Sequence, residues 1–197
     1  MENTFPSLSG QITYITSRSS GLKHKAKNYT IFSKGISPNY LSLGKEEFLY
    51  GRGFSSQEDK ENENVVIMSY ASIKDIFDQQ NPVGSTVTIQ GKPFLIIGVL
   101  KESTQERLGA ASVSAYFPYN QFFTEIFATP SFDSLQVFLP EESDNEEWRK
   151  ILYQTLIEYV GVTTTNAADF EVTSSASFAD QIQSAMDIFS YFLAAVG

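Results

Sequence analysis

Apolar and polar residues alternate in short runs along most of this chain, and helical spacing takes over only towards its end. Ile12, Tyr14 and the adjacent Ile15 predict a strand over 11–16, and 29–35 predicts a second. The stretch 18–28 between them is polar and basic, contains Gly21, and reads as a hairpin loop. Ser37-Pro38-Asn39 ends the second strand, because Pro and Asn favour turns. Gly51-Arg52-Gly53-Phe54 reads as a glycine-permitted turn, followed by a polar, acidic run over 55–64. Val65 to Met68 is a short apolar strand, and Ser69 is placed to cap a helix that carries Ile73, Ile76 and Phe77 on one face. Asn81-Pro82-Val83-Gly84 breaks it. The clearest local signal follows. Thr86-Val87-Thr88-Ile89 alternates, Gln90-Gly91 turns, and 94–100 is a buried strand, so 86–100 is predicted to be a hairpin. Gly98 within it predicts a bulge or a close backbone approach.

The stretch 101–114 is polar, contains Gly109 and predicts a mobile loop. Tyr116-Phe117-Pro118 leads into a short helix through Phe122, Phe123 and Ile126, and Thr129-Pro130 breaks it. A strand over 134–139 follows. Ser143 with Glu146 fits a capping box for a helix carrying Trp148, Ile151, Leu152, Thr155, Leu156 and Tyr159, which Gly161 can end. Phe170 and Val172 mark a strand over 169–173, and Phe178, Ile182, Met186, Phe189 and Leu193 a last helix. The unit 134–173 is therefore strand–helix–strand, with both strands expected in one sheet and the helix packed on it. The middle of the chain is a different mixture of hairpin and short helices. The pattern predicts an α+β chain of two lobes, one inserted between the halves of the other.

Composition narrows the function classes. The 197 residues are 42% hydrophobic and 14% aromatic, which is enough for a packed core. A net charge of −9 argues against nucleic acid and against docking on an anionic lipid surface. With no cysteine, disulfides and thiolate metal sites are excluded. The single histidine, His24, sits between Lys23 and Lys25 in a solvated basic tip, a poor setting for a general base. The acids of 58–61 and 141–147 lie in adjacent runs, as on solvated loops and helix starts, instead of facing each other across a gap. No calcium-loop order, Gly-x-Ser-x-Gly or phosphate-loop element occurs, so no catalytic, cofactor or metal residues are assigned and no ATPase activity is expected. The start of the chain shows no signal-peptide pattern. The apolar run 188–196 falls short of the ~20 residues of a membrane span, and it reads either as a core helix or as the first turns of a membrane helix.

An ordered set of segments carries a resemblance. Gly35-Ile36-Ser37-Pro38-Asn39-Tyr40, Gly51-Arg52-Gly53-Phe54-Ser55, Val65-Val66-Ile67-Met68-Ser69, Asn81-Pro82-Val83-Gly84-Ser85, Pro93 to Leu100 and Tyr116-Phe117-Pro118-Tyr119 succeed one another. Together they resemble the extracytoplasmic core domain of ABC-transporter permeases of the MacB type, related to FtsX and the lipoprotein exporters. The resemblance implies a porter-like lobe over 1–44 and 129–187, an inserted sabre-like lobe over 45–128, and the start of a membrane helix over 188–197. It also implies a trimmed or shortened front, since the family has a further strand and helix there. The implied function is the coupling of ATP-driven motion to export. The implied partners are a membrane-fusion adaptor, an ATPase subunit reached through the membrane part and a second permease copy, all at the extracytoplasmic face of a cell membrane. The alternative is a substrate-sensing domain of a permease conferring resistance to antimicrobial peptides. The 101–114 loop is the expected adaptor contact.

Overall fold

A computed structural model describes residues 11–107, 112–127, 133–139, 143–160 and 172. The chain divides into two compact units, 1–138 and 139–197. The first is a sheet of eight strands: β1 (Ile12–His24), β2 (Lys27–Ile36), β3 (Phe48–Gly51), β4 (Val65–Met68), β5 (Thr86–Ile89), β6 (Lys92–Leu100), β7 (Ser114–Pro118) and β8 (Ser134–Val137). Between them lie the short helices α1 (Tyr40–Leu43), α2 (Ser56–Glu61), α3 (Ala71–Asp75), α4 (Thr104–Arg107) and α5 (Tyr119–Gln121), the last running into a π-turn, Phe122–Ile126. The second unit contains α6 (Asn145–Val160). This is the α+β content expected. The predicted strand over 169–173 and the helix over 178–196 lie outside the described residues, Val172 apart, and so does the expected helix end at Gly161.

Six of the strands close on themselves. β2 pairs β7, β7 pairs β4, β4 pairs β6, β6 pairs β5, β5 pairs β1, and β1 returns to β2. The interior of this ring is filled by Leu22, Ile31, Val66, Met68, Val87, Ile89, Phe94, Ile96, Val99, Ala115 and Phe117. Ile73, Ile76 and Phe77 pack into the same core from the α3 segment, and Phe122 and Phe123 from the π-turn. Phe94 meets Phe117 edge-on with ring centroids 5.1 Å apart, and Phe122 meets Phe123 at 5.2 Å. Such edge-to-face pairs add to the burial of large apolar area. A second, smaller core lies in Ile36, Leu41, Val65, Ile67, Ile97 and Leu100, with Tyr40, Phe48 and Phe54 packed against it.

A bulge in β6 serves both cores. Val66 pairs Ile96 but Ile67 pairs Gly98, so Ile97 is an extra residue. Phe94 and Ile96 point into the ring before it and Val99 after it, while Ile97 and Leu100 join the second core. The expected bulge and the expected close approach at Gly98 are thus both present. A Cβ at Gly98 would collide with the Arg52 carbonyl. Opposite, Gly51 has φ +73° and faces the Ile97 carbonyl.

The 86–100 hairpin forms as predicted, with Gln90 (φ 49°) and Gly91 (φ 81°) both in the left-handed region that a type I′ turn requires. The 18–28 loop does not. β1 runs to His24 and pairs with β2 from Ile15↔Ile36 to His24↔Lys27, leaving Lys25-Ala26 as the turn. The strand was hidden because several of its buried positions are hydroxyls: Thr13, Thr16 and Ser20 are buried, and the Ser20 and Ser33 hydroxyls bond across the hairpin. The two ends of this hairpin have different partners. Ile12–Ile15 pair with β8, whereas Leu22 and Lys23 pair with β5.

Candidate functional site

Polar chemistry gathers at three places on the ring. The first is the Gly51–Glu58 knot, where the sequence predicted only a turn and an acidic run. The run is instead α2. Ser55 Oγ accepts from the Glu58 N–H, and the Glu58 carboxylate accepts from the Ser55 N–H, a capping box. Arg52 then donates two hydrogen bonds to the same carboxylate, at 2.8 and 2.7 Å. Those bonds pull Glu58 down from 4.5 to about 2, against the opposing effect of burial and with help from Ser55. The signal was present as Ser55-x-x-Glu58 and was masked by the neighbouring acids.

The second place surrounds Lys34. Its ammonium lies 5.2 Å from the centre of the Tyr116 ring, a cation–π distance. Burial lowers the Lys34 pKa, and the fields of Glu106 and Glu46 oppose it. Burial and Glu106 raise Glu46, with Lys34 opposing. Burial raises the Tyr116 and Tyr40 phenols. The Lys34 ammonium thus lies over the Tyr116 ring in the fields of Glu106 and Glu46.

Glu106 also bears on two sequence readings. The 101–114 stretch contains α4, begun by a capping box in which Ser103 N–H donates to Glu106 and Glu106 N–H donates to the Ser103 hydroxyl. The Glu106 carboxylate additionally accepts from the Ala71 N–H at the start of α3. Ser69, expected to cap α3, instead uses its hydroxyl to bridge Ser112 O and Ser114 N–H, because β7 begins beside it. A similar displacement occurs at α6. Asp144, not Ser143, accepts from the N–H groups of Glu146 and Glu147, and Glu146 pairs with Arg149. A carboxylate one residue closer to the helix wins the cap.

The third place is the pair of hairpin turns. An open cleft of about 310 Å³ lies between them, lined by Gly21, Leu22, Lys23, Asn28, Thr88, Gln90 and Gly91. The Gln90 N–H donates to Gly21 O at 3.0 Å and ties the turns together. His24 is half-buried, its ring edge-on to Phe77 at 4.9 Å. Burial lowers its pKa, Lys25 adds to that and Asp78 opposes it. It packs as an aromatic side chain where the sequence predicted a solvated one.

Among the described residues no three of His, Asp and Glu gather to hold a metal ion, and no helix is long and apolar enough to cross a membrane. The 188–197 stretch lies outside the described residues.

Comparison with known proteins gives a consistent picture. The family described as MacB-like periplasmic core domain matches residues 2–176. The macrolide export ATP-binding/permease protein MacB of Mannheimia succiniciproducens is 28% identical over 77% of this chain. An ABC transporter permease of Bacillus subtilis, YknZ, is 28% identical over 73% of it. The chain spans 23% of the length of the first and 37% of the second. In three dimensions it is similar to the periplasmic region of MacB from Actinobacillus actinomycetemcomitans, with a TM-score of 0.72 at 25% identity, covering 87% of this chain and 75% of that one. The extracellular domain of YknZ has a TM-score of 0.69 at 22% identity, covering 82% of each chain.

Proposed function

Because the chain belongs to the family of MacB-like periplasmic core domains, which are extracytoplasmic parts of ABC-transporter permeases, we propose that it transmits ATP-driven motion to the export path and contacts a membrane-fusion adaptor. The match over 2–176 carries this reading. ATP is hydrolysed by a separate cytoplasmic domain or subunit, and a second permease copy completes the transporter. In the proposed division, 1–44 with 129–187 forms the porter-like lobe and 45–128 the sabre-like one. The long β1–β2 hairpin then belongs to the porter-like lobe, its base paired with β8 of the same lobe and its tip with β5 of the sabre-like one. A hairpin of one lobe that pairs with a strand of the other links the two for passing on a displacement. The packing of Phe94, Phe117 and Phe122 into the ring supports a mechanical role over substrate capture there.

The adaptor contact is proposed for the 101–114 stretch. Its test uses the complete permease with its ATPase in nanodiscs. Residues 107–111 are replaced by a Gly-Ser linker of equal length, which spares Glu106 and Ser112. The expected result is loss of adaptor-stimulated ATP turnover with basal turnover kept. Unchanged stimulation removes this stretch from the interface. An intact permease that binds no adaptor overturns the reading in favour of direct substrate sensing.

A further inference from the structure

Charge along this chain is sharply segregated. No Asp or Glu occurs between Glu2 and Glu46, yet that stretch contains Arg18, Lys23, Lys25, Lys27, Lys34 and Lys45 on a chain of net charge −9. Folding concentrates it further. Arg18 is neutralised by Asp133 at 2.8 Å, and Lys34 is held over Tyr116. Lys23, Lys25 and Lys27 are exposed and form no ion pair within 4.0 Å among the described residues. The pairings Lys23↔Asn28 and His24↔Lys27 bring the three onto one turn. Lys23 and Lys27 fall on alternate faces of the hairpin end with Lys25 in the turn between them, and Asp78 sets an opposing field at His24.

The cleft described above opens beside this turn. Its lining is mostly apolar, and the groups on it able to donate hydrogen bonds are the Lys23 ammonium, the carboxamides of Asn28 and Gln90 and the Thr88 hydroxyl, of which the last three also accept. No carboxylate lines it. Gly21 and Gly91 leave the backbone open to approach, and a volume of about 310 Å³ takes one or two side chains.

We propose that the β1–β2 turn and the cleft beside it form a docking site for an acidic segment of a partner protein, one carboxylate seated against Lys23, Asn28 and Gln90 and flanking acids held by Lys25 and Lys27. An anionic membrane is disfavoured because a broad negative plane meets the acidic remainder of the domain as well as the tip, whereas a narrow segment meets the tip alone. The donors and the free lysines carry this inference by themselves, so it stands whether or not the partner is an adaptor.

The test titrates the isotopically labelled 197-residue chain with a short Asp/Glu-rich peptide, with its Asn/Gln counterpart and with phosphatidylglycerol vesicles. Amide shifts are expected at Gly21, Lys23, Asn28, Gln90 and Gly91 with the acidic peptide only. Affinity is expected to weaken about tenfold between about 20 and 300 mM salt. The triple variant Lys23→Glu, Lys25→Glu, Lys27→Glu abolishes binding while its spectrum stays dispersed. Gln90→Ala with Asn28→Ala, which keeps the charge, weakens binding severalfold and separates the cleft from simple attraction. The inference is overturned if shifts scatter over lysines elsewhere, if the neutral peptide binds equally well, or if vesicles bind with the same triple-lysine dependence.

Discussion

Glu58 ionises at about 2 instead of 4.5 because Arg52 donates two hydrogen bonds to it; burial works the other way, and the Ser55 N–H adds to the lowering. The folded value lies below the unfolded one, so the stabilisation is complete above pH 4.5 and is lost as pH falls towards 2. Arg52 is 58% exposed, so solvent screens the pair, and Glu58→Gln is expected to cost about 1–2 kcal/mol at pH 7. Urea midpoints measured from pH 7 to pH 2 check this: the variant should lose part of the acid sensitivity, and an unchanged midpoint at pH 7 contradicts it. Gly35 sets a second residue-scale limit. A Cβ there would lie 2.7 Å from Cγ of the fully buried Phe122. Gly35→Ala should cost about 1–3 kcal/mol through overpacking, and Phe122→Leu in the same chain should recover part of that loss relative to the sum of the single changes. The Glu58 role was present in the sequence as Ser55-x-x-Glu58 but masked by the neighbouring acids, and the Gly35 limit was not legible. Gly35 stood inside a predicted strand, and its need for a hydrogen depends on a ring 87 positions away in the chain.

Elements were legible wherever local chemistry decides them. The second hairpin has alternation and a Gln90-Gly91 turn, and α6 has apolar residues at helical spacing, so both stood out. The first hairpin lacks both cues. Its turn is Lys25-Ala26, and its buried face carries Thr16 and Ser20 where a readable strand has valine or isoleucine. The Ser20–Ser33 bond stands in for that apolar contact. Removing one hydroxyl leaves the other buried and unpaired, so Ser20→Ala and Ser33→Ala should each cost about 1–2 kcal/mol, with the double variant costing clearly less than the sum. Thermal or urea unfolding of the four proteins of this cycle decides it; strict additivity refutes the pairing. Caps were misread for a tertiary reason. Ser69 was free to cap α3 until β7 claimed its hydroxyl, and Glu106, 35 residues away from Ala71, took its place.

At the scale of the whole molecule, the ring depends on pairings between distant segments, among them the parallel contacts of β2 with β7 and of β4 with β6. Nothing in local patterning announces such closure, which is why the sequence showed hairpins and lobes but no ring. The ring has a thin seam. β1 meets β5 through Leu22↔Ile89 and Lys23↔Thr88, together with the Gln90 to Gly21 bond, beside the open cleft. β4 meets β7 over an equally short stretch, but Ser69 beside it is buried, whereas Lys23 and Gln90 at the β1–β5 seam are exposed. Native-state hydrogen exchange should therefore find the Gln90 amide opening at least about tenfold faster than the Ser69 amide; equal protection would mean the ring opens only as a whole. The long first strand also has a history in time. Ile12 leaves the ribosome well before its partner Val137, a wait of roughly 6–25 s at ~5–20 residues per second. During that wait β1 is half of a hairpin with an unpaired edge, the kind of intermediate that sticks to its own copies. Its threonines and serines are poor material for a dry interface between such copies.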